Sequence, residues 1–124
     1  MEMLYADESY ALRGAFYEVY STLGAGFLEA VYQEALELEL ASRGIPYIAQ
    51  PQLELLYKNV RLRQTYRPDF VCYDHIIVEL KAAANLAAEH QAQLVNYLRV
   101  TGFRLGFLVN FGHYPQIEIK RMVF

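Results

Sequence analysis

Residues 67–81 read Arg-Pro-Asp-Phe-Val-Cys-Tyr-Asp-His-Ile-Ile-Val-Glu-Leu-Lys, and no other stretch restricts the possible folds so tightly. Two apolar runs, 70–73 and 76–80, flank Asp74-His75, a pattern that predicts two β-strands in a tight hairpin. Charge falls where such strands should be buried. Asp69 opens the first strand. Glu79 and Lys81 close the second and, two residues apart, project from one sheet face. Ionised groups on largely buried strands are costly unless paired or bound to a metal, so chemistry is expected here.

The rest of the chain frames this hairpin. Its 124 residues are the length of one domain, 1–124, and a hydrophobic content of 55% suffices for a core. A net charge of −3 argues against chain-wide attraction to nucleic acid but leaves room for a local basic patch. The single cysteine, Cys72, excludes an internal disulfide and a multi-cysteine zinc site, and its apolar strand suits a buried, inert thiol. The acidic N-terminus lacks a signal-peptide core, and no apolar run has membrane-spanning length. A cytoplasmic protein without membrane association is the expectation.

Helical spacing of Leu12, Phe16, Val19, Tyr20 and Leu23 predicts a helix over 8–23, broken by Gly24-Ala25-Gly26. A second helix is expected over 27–42, with Leu28, Val31, Ala35 and Leu38 along its stripe, Gly44 as its C-cap and Pro46 stopping it. The period then changes. Runs 47–56 and 60–65 read as strands around Tyr57-Lys58-Asn59, with Pro51 marking an edge or a bulge. After the central hairpin, 87–100 reads as a helix, 104–111 as a central strand and 116–124 as a last strand. The helix between two strands is a crossover that should make those strands parallel. The expected architecture is a mixed central sheet flanked by helices, an α/β or α+β sandwich.

Asp69, Glu79 and the Leu80 carbonyl would make a hard oxygen site suited to Mg²⁺ or Mn²⁺. Lys81 could orient or activate a water, or neutralise charge on a phosphoryl group. Taken alone, Glu-x-Lys is more simply a structural ion pair, and Pro68-Asp69 one hairpin upstream shifts that balance. Glu29, in the first turn of the second helix, is either a partner of the helix dipole or a third carboxylate of the site. Gln93 and Tyr97 lie four residues apart on the helix after the Glu79 strand, and could hold a phosphate or a water. Otherwise Tyr97 is core and Gln93 is surface. His75, His90 and His113 lack metal-ligand spacing; His90 could border the site. Arg61, Arg63 and Arg67 form a basic cluster that is either a phosphate contact or a solvated strand face.

Together, Pro68-Asp69, Glu79-Leu80-Lys81 and Gln93-x-x-x-Tyr97 resemble the signature of the PD-(D/E)XK nuclease superfamily and of its exonuclease-like branch. More narrowly, Gly26-x-x-Glu29-x-x-Tyr32, Tyr66-Arg67-Pro68-Asp69 and Leu108-Val109-Asn110-Phe111-Gly112 resemble the small bacterial family named for its Gly-x-x-Glu-x-x-Tyr motif. The resemblance implies a restriction-endonuclease-like αβββαβ core with an extra N-terminal helix and a C-terminal edge strand. It implies Asp69, Glu79 and Lys81 as catalytic residues, with Glu29, Asp69, Glu79 and Leu80 holding Mg²⁺, or Mn²⁺ in its place. Gln93, Tyr97 and Arg67 would contact the substrate. The expected activity is hydrolysis of phosphodiester bonds, in DNA rather than RNA. The alternatives are a non-catalytic nucleic-acid or protein-binding module on the same fold, and an enzyme acting on small phosphorylated molecules. The acidic balance and small size leave little surface for gripping a duplex, which a homodimer or a partner protein would supply.

Overall fold

Helix α1, Ala6–Leu23, and helix α2, Glu29–Ser42, form the expected helix pair in a computed structural model that describes residues 3–124. Leu12, Ala15, Phe16 and Val19 occupy the buried face of α1 at helical spacing. Gly24 ends the helix at φ 72, where a Cβ would be strained, and its N–H reaches the Tyr20 carbonyl at 2.7 Å.

Helix α2 buries a different stripe from the one expected. Tyr32, Leu36 and Leu40 are inside, whereas Leu28 is 78% and Leu38 67% exposed. Two stripes of this helix are apolar, and the tyrosine decides between them. Its ring stacks on Phe111 at 4.8 Å, and its hydroxyl donates to the Gly24 carbonyl at 2.5 Å and accepts from the Phe27 N–H at 3.2 Å. A buried tyrosine whose hydroxyl is satisfied both ways keeps the gain of ring burial without a desolvation penalty. With the Phe27 N–H engaged in this way, α2 starts at Glu29 rather than at Phe27.

The single strand expected over 47–56 is two strands in two sheets: β1, Tyr47–Ala49, and β2, Leu53–Tyr57. Gln50 lies at φ 50 and Pro51 has no N–H, so the ladder stops and the chain leaves the main sheet. Strand β2 pairs with β3, Val60–Tyr66, across Lys58-Asn59, whose φ values of 50 and 64 belong to a two-residue hairpin turn. Strands β4, Phe70–Cys72, and β5, Ile76–Lys81, form the central hairpin. Its left-handed residues are Tyr73 and Asp74, so the turn begins one residue earlier than expected.

Helix α3, Ala88–Thr101, carries the chain to β6, Leu105–Asn110, which runs parallel to β5; β7, Glu118–Val123, returns antiparallel as the edge strand. The five-stranded order is β1-β4-β5-β6-β7. This is the expected mixed sheet flanked by helices. Strand alternation divides the core. Ile76, Val78 and Leu80 pack towards α1 and α2, while Ile77 packs on the opposite face with Val71, with Leu94 and Leu98 of α3, and with Tyr66. Glu79 and Lys81 share the Ile77 face through the two-residue period.

Candidate active site

The structure brings Asp69 and Glu79 together through a reciprocal lock. The Asp69 N–H donates to Glu79 Oε1 at 2.9 Å, and the Leu80 N–H donates to Asp69 Oδ2 at 2.7 Å. Each carboxylate thus fixes the backbone beside the other. The Asp69 carbonyl is itself held by the Gln50 N–H at 2.9 Å and by Gln33 Nε2 at 3.2 Å. Within a strand, the N–H and C=O of one residue point to the same side. Because the Leu80 N–H meets Asp69, the Leu80 carbonyl also faces the Asp69 side.

Burial pushes the Glu79 carboxyl up to about 7, and the charge of Asp69 adds to the rise; the Asp69 N–H, Tyr66 and Lys81 offset part of it. Asp69 is raised too, by burial, against the opposing pull of the Leu80 N–H and Lys81. Glu29 is raised by burial and by Asp69, while Lys81 and His90 offset part of the rise. Two buried acids side by side favour sharing a proton when nothing cationic lies between them. Two carboxylates and a carbonyl are the donor chemistry that a hard divalent cation requires, and such a cation would relieve the same repulsion. Among the described residues, no three His, Cys, Asp or Glu side chains form a closed metal-binding group. Glu29 is exposed and stands beside the pair as a charge.

The other expected residues are distributed unevenly. Lys81 follows Glu79 on the same face, and its carbonyl accepts the Phe111 N–H at 2.9 Å. Gln93 and Arg67 are exposed, with no side-chain hydrogen bond among the described residues. Tyr97 is partly buried and stacks flat on Tyr66, with ring centroids 3.8 Å apart and planes at 5°. The Tyr66 hydroxyl is buried beside Glu79 without an aligned hydrogen-bond partner, and burial raises its pKa, with the Glu79 charge adding to the rise. Tyr97 therefore reaches the acid pair through Tyr66. His90 accepts the Ala87 N–H on Nδ1 at 3.2 Å, which orients its ring at the start of α3. His75 packs against Tyr5 in its turn, with ring centroids 4.1 Å apart and planes tilted by 32°.

Sequence reasoning missed three contributors. Gln33 lies four residues after Glu29, on the same helix face, and that spacing was the available signal. Tyr66 had only its place in Tyr66-Arg67-Pro68-Asp69, since only the folding of the β2–β3 hairpin over α3 brings it to Glu79. The third is a latch on the segment between Lys81 and α3. Asn110 is fully buried; its Oδ1 accepts the Ala83 and Gly112 N–H groups at 3.0 Å, and its Nδ2 donates to the Ala83 carbonyl at 2.8 Å and to Glu118 at 3.1 Å. Glu118 also accepts the Leu86 N–H at 3.2 Å, and His113 Nδ1 meets the Ala84 carbonyl at 2.8 Å. Gly112 presses on this segment so closely that a Cβ would lie 2.4 Å from the Ala83 nitrogen. An asparagine inside an apolar strand was the signal, because buried amides are kept only when bonded.

An acid pair locked across adjacent strands, with a lysine two residues beyond the second acid, defines a carboxylate–lysine site on a restriction-endonuclease-like sheet. The model of the PD-(D/E)XK nuclease superfamily matches residues 6–122. The chain belongs to that superfamily. Among solved structures, the crystal structure of SSO0001 aligns with a TM-score of 0.58 and 19% identity over 96% of this chain, a likeness of fold. The chain spans 60% of the length of that structure. No curated protein matches the sequence. Among the described residues, no helix is long and apolar enough to cross a membrane.

Proposed function

We propose that the chain is a metal-dependent nuclease that hydrolyses phosphodiester bonds in DNA, acting as one domain over 1–124 and belonging within the superfamily to the Gly-x-x-Glu-x-x-Tyr family. The single observation that carries this reading is the half-buried Asp69–Glu79 lock with Lys81 on the same face. Asp69, Glu79 and the Leu80 carbonyl would hold Mg²⁺, or Mn²⁺ in its place, with Glu29 contributing negative charge from α2. The ion, when bound, acidifies water and neutralises charge on the phosphate. Lys81 holds the attacking water or the phosphoryl oxygens, and its backbone is kept in register by the Phe111 N–H. Gln93 and Arg67, both exposed, would contact the substrate strand, while Tyr97 would support the site through its stack on Tyr66. A homodimer or a partner protein would extend the surface offered to a duplex.

The test is cleavage of duplex DNA, single-stranded DNA and RNA in Mg²⁺ and in Mn²⁺ by the wild-type chain, Asp69→Asn and Lys81→Ala. Cleavage by the wild type and its loss in both variants is expected; equal cleavage by all three proteins refutes the assignment. The acidic balance of the chain supports a second reading, a non-catalytic binding module. Calorimetric titration separates the two, because the module predicts no Mg²⁺ or Mn²⁺ binding at millimolar concentration.

A further inference from the structure

We propose that the β2–β3 hairpin is an arm that grips the phosphate backbone of DNA and feeds it to the acid pair. This rests on the nuclease reading for what happens at the site, but not for the grip itself. Charge is the first observation. Residues 53–67 carry four basic side chains, Lys58, Arg61, Arg63 and Arg67, against one acid, Glu54, in a chain whose net charge is −3. The hairpin is thus a locally positive element on a chain that is acidic overall, the local pattern that a polyanion selects.

Geometry is the second. Cross-strand pairing puts Arg61 and Thr65 opposite Leu56 and Glu54 on one face; a register shift between those pairs leaves Arg63 in the irregular stretch between them, and Arg67 follows just beyond the strand. All four side chains are hydrogen-bond donors. A groove of about 480 Å³ lies along this stretch, lined by Gln52, Glu54, Arg61, Leu62, Arg63 and Thr65. The pairing of Arg61 with Glu54 at 3.1 Å has both side chains more than 60% exposed, so it is weak and a phosphate can displace it.

The third observation is attachment. The root of the hairpin is seated on α3 through Leu53, Leu55 and the Tyr66–Tyr97 stack, and the tip stands free, with Tyr57 62% and Val60 64% exposed. The chain leaves β3 through Arg67 and Pro68 straight into Asp69. The residue before a proline is held extended, so a strand bound along the arm is delivered to the acids without a flexible joint between them.

The test is fluorescence anisotropy of a labelled DNA duplex titrated with the whole chain, with Ca²⁺ replacing Mg²⁺, at about 50 and about 200 mM salt. The proteins are wild type, Arg61→Ala/Arg63→Ala, Arg61→Lys/Arg63→Lys, and an Arg43→Ala/Lys120→Ala control that removes equal charge elsewhere. Removing two phosphate contacts takes about 1.8 from the slope of log K against log salt, so the wild type should lose roughly tenfold more affinity over this interval than the double alanine variant. The lysine variant and the control should keep the wild-type slope. An alanine variant with the wild-type slope overturns the arm, as does a control that changes as much as the alanine variant. So does sedimentation showing a wild-type dimer that the alanine variant dissolves at unchanged slope, since the hairpin then meets a second copy. If the slopes behave as expected and no protein cleaves DNA, the arm stands and the nuclease reading falls. Cleavage by the wild type with unchanged slopes gives the reverse.

Discussion

Replacing Glu79 with glutamine should stabilise the metal-free protein at alkaline pH, although it removes a residue of the site. The Glu79 carboxyl titrates at about 7 in the fold against 4.5 for an ordinary glutamate. Between those two values the unfolded chain releases the proton and the folded chain keeps it, so folding stability declines as pH rises through this window. At about 1.4 kcal/mol per pH unit, the decline attributable to this residue is about 3 kcal/mol. Glutamine has the same shape, carries no charge and retains an oxygen to accept the Asp69 N–H. For a domain of this size the gain corresponds to a melting temperature higher by roughly 10 °C at about pH 8, shrinking to nothing near pH 4.5. Thermal melting by circular dichroism in EDTA, at several pH values, reads it directly. Parallel wild-type and Glu79→Gln profiles would show that water reaches the acid pair freely, and the argument from burial would fail.

Three further outcomes follow from particular contacts. Tyr66→Phe removes a buried hydroxyl that lacks an aligned partner and keeps the stack on Tyr97, so urea unfolding should place it within about 1 kcal/mol of wild type; a larger loss would mean that the hydroxyl is firmly bonded to Glu79. Gly112→Ala forces a Cβ against backbone, not against a yielding side chain, and should cost about 3 kcal/mol in the same assay, with wild-type stability counting against the close approach. Burial pushes the Cys72 thiol up to about 12, so an aromatic disulfide reagent should leave it unmodified at about pH 8 until urea unfolds the chain; prompt labelling of the native protein would contradict its burial.

The sequence made the central hairpin and its crossover legible because both depend on local pattern. Alternation placed Glu79 and Lys81 on one face, and the helix between β5 and β6 required a parallel pair. The acid pair was readable as residues at two strand ends, but the reciprocal bonds to backbone N–H groups were not, because they depend on the register of the strands. Helix α2 shows where periodicity stops being informative. Both of its stripes are apolar, and the choice rests on Phe111, a residue from the far end of the chain that stacks on Tyr32. At Gln50-Pro51 the proline was a true signal of interruption, but only the left-handed Gln50 turns an irregularity into an exit from the sheet. Tyr66 lay inside a recognisable motif, yet its contact with Glu79 depends on where the hairpin docks.

The acid pair lies on one face of the sheet. Phe70 and Leu80 beside it belong to the hydrophobic cluster under α1 and α2, and Val71 and Tyr66, on the side of the acids, belong to the cluster under α3 and the hairpin. The proton affinity of Glu79 is therefore a gauge of how tightly that second cluster closes over the sheet. A change at Leu94 or Leu98 would admit water along this face and return Glu79 towards an ordinary carboxylate. An ion seated there would favour the charged acids, so the packing under the hairpin and the charge of the site are linked.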